Sequence, residues 1–205
     1  LPTQPLSKKS KRKIPAYLVR ETIDGIDFYY PGFRQVLNKQ KKLEEIMGES
    51  GLQYFLKLYL YDLLKAGLDE QKYRVGSGEL GFHAGLGNNL GLDVVVFDRS
   101  ILTPDKITLR YVTIAPKVVI EIDANVELPN RQSDLFQEYV IRKVENLFQH
   151  GIERVISFFT LSKKVVIATP LHAWQIDDWN KEVQLFESVM VNIAAYIASE
   201  VFELE

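Results

Sequence analysis

Two hydrophobic periods share this chain. In KVVIEIDANVEL, from Lys117 to Leu128, the two-residue repeat of a strand puts Val118, Ile120 and Ile122 on one face. The other face receives Val119, Glu121 and Asp123, two carboxylates beside a β-branched neighbour. In LQYFLKLYLYDLLKAGL, by contrast, Leu52, Phe55, Leu56, Tyr59, Leu60 and Leu63 recur every three or four residues. That spacing predicts an amphipathic helix ended by Gly67.

The same patterns order the rest. YLVRETIDGIDFYYPG reads as strand, turn, strand around IDG, and KKLEEIM, Lys41 to Met47, as a short helix broken by Gly48 to Ser50. KYRVGSGELGFHA reads as short strands interrupted by glycine turns, GLGNNLG as a loop, and DVVVFD as a buried strand opened by Asp93. Pro104-Asp105 marks a further turn. From Ser133 the period lengthens, setting Leu135, Tyr139, Arg142, Lys143 and Leu147 on a helix capped by Ser133 and stopped by Gly151. RVISFFT and KVVIAT follow as strands joined through LSKK; a hairpin-like pair and a closing helix from about Asn192 complete the chain. No internal repeat is visible. The expected fold class is α/β: a mixed sheet with helices packed on it, not a regular βαβ array.

Composition narrows this little. At 205 residues with 46% hydrophobic and 25% charged, the chain suits one globular domain, expected over residues 14–205. Cysteine is absent, which removes disulfides and thiolate metal sites and makes a reducing cytoplasm the expectation. No apolar run is long enough for a membrane span, so no membrane partner is expected. The net charge of −2 gives no overall bias toward nucleic acid, but Lys8, Lys9, Lys11, Arg12 and Lys13 form a basic cluster. Residues 1–13 read as a flexible basic tail, either solvated or tracking phosphates.

Candidate chemistry lies at the strand ends. Asp93 opens one strand, and Glu121 and Asp123 close another. Three carboxylates in one pocket repel each other, and a hard cation such as Mg²⁺ relieves that repulsion. The alternative is an exposed sheet face carrying these acids. Against it, Glu121 lies within VVIEI, away from any turn. Downstream, Lys143 offers an ammonium that orients a water or stabilises charge on a phosphoryl oxygen, unless it is a solvated helix residue. His83, His150 and His172 share no ligand spacing, which argues against zinc. GSGELG and GLGNNLG lack the lysine and serine of a phosphate-binding loop and read as turns. Trp174 and Trp179 read as strand-end packing, with base stacking the alternative.

The order of Asp93, Glu121 in a hydrophobic strand, Lys143 on the next helix, Gly151 and a following strand resembles the PD-(D/E)XK nuclease superfamily. More narrowly the chain resembles the Uma-two family of proposed restriction endonucleases. The similarity runs from IDG at Ile23 through LEEIMG, DVVVFD and KVVIEID to GIERVISFFT and KKVVIA. It implies a restriction-endonuclease-like mixed sheet flanked by helices and a Mg²⁺- or Mn²⁺-dependent nuclease acting on nucleic acid, with DNA the expected substrate. Asp93 and Glu121 then fall on the metal ligands, with the backbone carbonyl of Ile122 a third contact and Asp123 a further ligand or base. The position of the motif's lysine holds Asp123, and Lys143 takes the cation's place. Gly91-Leu92 precedes Asp93 where a proline is usual. Glu44, Glu45 or Glu79 would complete the site from upstream. Cutting both strands of a duplex calls for two sites, hence an expected homodimer. The alternative is a catalytically inactive module of the same fold that binds nucleic acid or a protein.

Overall fold

A computed structural model of the protein describes residues 14–123, 126–128 and 136–200. Its centre is an eight-stranded sheet of β1 (Val19–Ile23), β2 (Ile26–Tyr29), β3 (Tyr73–His83), β4 (Asn89–Asp98), β5 (Val118–Ile122), β6 (Arg154–Phe159), β7 (Lys164–Ala168) and β8 (Gln175–Asp178), in the order β2-β1-β4-β5-β6-β7-β8 with β3 paired to β4 off this path. β1 (Val19–Ile23) and β2 (Ile26–Tyr29) form the expected hairpin. Asp24 and Gly25 turn it with φ of 52° and 74°, the left-handed pair that a tight hairpin turn requires.

α1 (Phe33–Leu37) and α2 (Glu44–Met47) lead into α3 (Gly51–Gly67). Ser50 and Gln53 close a capping box at the start of α3, each side chain accepting the other's backbone N–H. Leu56, Leu60 and Leu64 then face the sheet and pack on Val94, Val96, Val118, Ile120 and Ile122. The opposite sheet face, with Val95, Phe97, Val119 and Val155, is covered by Val144 and Leu147 of α4 (Arg142–Gln149). Both faces are buried, so an acid within β5 has no exposed side to turn to.

β3 (Tyr73–His83) is one continuous strand where the glycines suggested several short ones. Gly78 and Glu79, at φ of 102° and 51°, form a bulge: pairing with β4 (Asn89–Asp98) passes from Ser77↔Val94 to Leu80↔Leu92. Gly81 leaves room for a neighbour, since a Cβ there would lie 2.6 Å from the Tyr111 ring. β4 also starts earlier than expected, so Asp93 sits inside the strand and not at its opening. Leu90 and Leu92 pack in the same core as Val95 and Phe97. The side-chain alternation of β4 therefore slips by one residue around Asp93, opposite the bulge.

The other edge of β4 pairs with β1 at Asn89 and with β5 (Val118–Ile122) from Val94 to Val96. Between them the sheet forks over Leu90 to Asp93. β5 continues in parallel to β6 (Arg154–Phe159) through the helical crossover. The described part of that crossover is a π-helical stretch, Phe136–Ile141, running into α4; Ser133 and Leu135, its expected beginning, lie outside the described residues. Gly151, at φ 92°, ends the helix as the sequence indicated. β7 (Lys164–Ala168) and β8 (Gln175–Asp178) finish the sheet. β9 (Val183–Phe186) and β10 (Val189–Val191) make a separate hairpin before α5 (Ile193–Glu200). Asn192 begins α5 by accepting the Ala195 N–H at 3.0 Å. Among the described residues no helix is long and apolar enough to cross a membrane.

Candidate functional site

At the fork, side chains take over the hydrogen bonds that a strand ladder would make. The Gly91 N–H donates to Glu21 Oε1 at 3.0 Å, and the Gly91 carbonyl accepts from Lys143 Nζ at 3.0 Å. The Ile122 N–H donates to Asp93 Oδ2 at 2.8 Å. Buried backbone groups need partners, and here they recruit charged ones. Gly91 has no side chain, and a Cβ there would meet Glu21 Oε1 at 3.6 Å.

Three elements converge on one ammonium. Lys143 Nζ on α4 lies 2.8 Å from Glu21 Oε1 on β1 and 3.0 Å from Glu121 Oε2 on β5. The Tyr139 hydroxyl, one helical turn before Lys143, donates to Glu21 Oε2 at 2.8 Å. Glu21, Asp93, Glu121 and Lys143 are each at most 5% exposed. Glu121 Oε1 is buried with no hydrogen-bond partner. On the α3 side, Lys57 Nζ stands 3.5 Å from Asp93 Oδ1 and is paired with Glu49.

Burial dominates the electrostatics. It raises the Glu121 carboxyl from 4.5 to about 8; Lys143 opposes the shift, and Asp93 and Glu21 add to it. Burial alone would lower Lys143, but Glu121 and Glu21 outweigh it and hold the ammonium well above its usual range. Tyr139 is also held well above its usual value, first by burial and then by Glu21, so it remains a neutral donor. Lys143 thus keeps its proton between two buried carboxylates, and burial leaves Glu121 readier to take one up than an ordinary carboxylate.

Two clefts open beside this cluster. The larger, about 530 Å³, is walled in part by Glu21, Asp93, Arg20, Glu79 and Tyr111. The smaller, about 270 Å³, reaches Asp93 and Ile122. Arg20, Tyr30, Glu79 and Asp93 line both. Arg20 Nη2 meets Glu79 Oε1 at 3.3 Å on the wall they share.

Of the residues singled out in the sequence, Asp93, Glu121 and Lys143 are brought together, with the Ile122 carbonyl adjacent and 3.4 Å from Gln53 Nε2. Asp123 is not turned toward them. Its φ of 46° breaks the strand alternation that would have aligned it with Glu121. Its carboxylate instead accepts the Thr160 N–H at 2.7 Å and the Thr160 hydroxyl. Glu45 caps the start of its own helix through the Lys42 N–H at 2.6 Å, Glu44 is exposed, and Glu79 lies on the cleft walls. The upstream acid at the cluster is Glu21, missed because RETIDG reads as a plain hairpin strand. Its signal was parity: Glu21 alternates with Ile23, so an inward hydrophobic position shares its face with a carboxylate.

Other residues singled out in the sequence have structural partners. His83 pairs with Asn89, and His150 with the carbonyl of Asn146. Trp179 is buried, its indole N–H donating to the Lys164 carbonyl at 3.1 Å. Among the described residues no group of three His, Cys, Asp or Glu side chains is arranged to hold a metal ion. The donor set at the fork is smaller: Asp93, Glu121 and one backbone carbonyl.

No protein-family model and no curated protein matches the sequence. Among solved structures, the chain is similar to a proposed nuclease belonging to DUF820 from Anabaena variabilis ATCC 29413, with 17% sequence identity and a TM-score of 0.60. The match covers 87% of this chain and 89% of that one, so the two share a fold across nearly their whole length.

Proposed function

We propose that the protein is a divalent-metal-dependent nuclease that hydrolyses phosphodiester bonds in nucleic acid, with DNA the expected substrate, built on a PD-(D/E)XK scaffold of the Uma-two kind. One observation carries this reading: a buried lysine bridges two buried glutamates while a carboxylate oxygen of one, Glu121 Oε1, has no partner, and Asp93 is near enough to act on that carboxyl electrostatically. An unpartnered buried carboxylate oxygen is costly. A cation satisfies it directly, and Mg²⁺ is commonly held by one or two carboxylates together with substrate phosphate and water. The residues present fit such an ion through Asp93, Glu121 and the Ile122 carbonyl.

A bound Mg²⁺ or Mn²⁺ would polarise the phosphoryl group and lower the pKa of the attacking water. The protein's own groups do the rest. Lys143 supplies positive charge behind the proposed ligand Glu121, its three N–H groups engaged by Glu21, Glu121 and the Gly91 carbonyl, which hold the ammonium in one place. Asp93 fixes the end of β5 through the Ile122 N–H, so the ligand carboxylate and ligand carbonyl share one anchor. The likeness to the Anabaena protein, itself described as a proposed nuclease, agrees with this reading.

The reading is tested by incubating the protein with plasmid, single-stranded DNA and RNA in Mg²⁺ and in Mn²⁺, with chelator and Glu121→Ala controls. Cleavage of at least one substrate that needs metal and Glu121 is expected. A folded protein inert on all three would leave the inactive, binding-only module as the better account.

A further inference from the structure

The larger cleft carries features that the hydrolytic cluster does not use. Tyr111 is 57% exposed, yet it is held from behind. The adjoining Val112 is tied to β3 by two backbone bonds, His83 N–H to the Val112 carbonyl and Val112 N–H to the Gly81 carbonyl, both at 2.9 Å. The Tyr111 ring rests over Gly81 in space that any other residue's Cβ would enter, at 2.6 Å from the nearest ring carbon. The result is an aromatic ring backed by a strand, with an open side, on the wall of the cleft that reaches Asp93.

The charge of that wall limits what enters. Among the described residues lining it, Arg20 is the one cation, against Glu21, Asp27, Glu79 and Asp93. A duplex presents one phosphate per ≈ 1.7 Å of axis and is normally gripped by several basic side chains. A single strand needs less charge, because stacking on an aromatic face supplies much of its binding and every base has such a face. The cleft volume of about 530 Å³ lies in the range of pockets that enclose small ligands, about 300–1,000 Å³.

We infer that the nuclease site takes an unpaired nucleotide: Tyr111 stacks on its base, and Arg20 exchanges Glu79 for the phosphate beside it. This rests on the nuclease reading and names its substrate class as single-stranded, or locally unpaired, nucleic acid. Glu79 then occupies the phosphate's place at rest, its carboxylate already on Arg20.

Fluorescence anisotropy with a short labelled oligonucleotide and its duplex, in Ca²⁺, tests the inference on wild type, Tyr111→Ala and Tyr111→Trp. The single strand is expected to bind more tightly than the duplex. Tyr111→Ala should weaken single-strand binding about tenfold, the scale of one lost stacking contact, and Tyr111→Trp should retain it. Glu79→Gln should tighten binding of the single strand, by removing the carboxylate charge that competes with the phosphate at Arg20. Duplex binding as tight as single-strand binding, or an indifferent Tyr111→Ala, overturns the inference; metal-dependent cleavage of duplex by the same protein would leave the nuclease reading standing. Absence of nucleic-acid binding together with absence of cleavage overturns both.

Discussion

The Lys143 ammonium lies 2.8 Å from the Glu21 carboxylate, joining the helix behind the sheet to its hairpin edge. The pair is almost wholly removed from water, so its two halves depend on each other. Deleting one member of a buried pair typically costs about 3–5 kcal/mol, because the other charge is left uncompensated. Lys143→Met should therefore lower the melting temperature and, at temperatures where it remains folded, cut turnover by about 10²-fold or more. Mn²⁺ binding should persist, since the ligands are untouched. Wild-type cleavage by this variant would remove Lys143 from the chemistry.

Glu21→Gln separates positioning from charge. With its oxygen toward Lys143 and the Gly91 N–H and its NH2 donating to the Tyr139 oxygen, the amide keeps these contacts, but it no longer balances the Lys143 charge. Turnover should fall by about tenfold or more with little change in KM, because Glu21 acts through the lysine and not on substrate. A change confined to KM would instead place Glu21 against the substrate.

The raised Glu121 carboxyl, at about 8, makes stability, and with it the proposed metal binding, depend on pH. Its folded pKa exceeds its unfolded value of 4.5, so the folded state holds the proton more tightly. The corresponding stability is fully present below about pH 4.5 and is lost as pH rises through about 8. The apo protein should accordingly become easier to unfold over that window, by at most about 1.4 kcal/mol per pH unit for one proton. A cation competes with the same proton, so Mn²⁺ affinity should rise toward pH 8 and binding should release a proton. Calorimetry in two buffers of different ionisation heat measures that release, which Glu121→Gln should abolish. At a concentration ~100 times Kd the metal should stabilise the fold by about 2.7 kcal/mol, several degrees in melting temperature for a domain of this size.

Asp123 gives a contrasting prediction. Its side chain ties the end of β5 to Thr160, so Asp123→Ala should cost about 1–2 kcal/mol through lost hydrogen bonds and a poorer fit to its positive φ. Asn tolerates that backbone and keeps an acceptor for the Thr160 N–H. Asp123→Asn should therefore leave Mn²⁺ binding close to wild type. A large loss of metal affinity in Asp123→Asn would restore it as a ligand.

The legible parts of this protein were those governed by local periodicity. β5, α3 and the hairpin at Asp24-Gly25 follow from alternation, three-to-four spacing and a turn pair; Glu121 was visible as an acid in an apolar strand, and Lys143 as a downstream helix cation picked out by the family resemblance. What sequence did not reveal depends on pairing between strands. The bulge at Gly78-Glu79 looks like a turn until β4 is laid beside it, and that bulge accompanies the slip in alternation around Asp93. Glu21 stands 122 residues before Lys143, so no spacing links them. Asp123 was misaligned because one positive φ ends the strand's two-residue repeat just before it.

The most direct measurement of the central claim is the single-turnover rate on a labelled oligonucleotide in Mn²⁺ for wild type and Glu121→Gln, with both proteins shown to be folded by circular dichroism. Wild type should cleave until chelator is added, and Glu121→Gln should be at least 10²-fold slower, because the replaced oxygen belongs to the proposed metal site. Equal rates in the two proteins would contradict it, and would place any hydrolysis away from the fork between β1, β4 and β5.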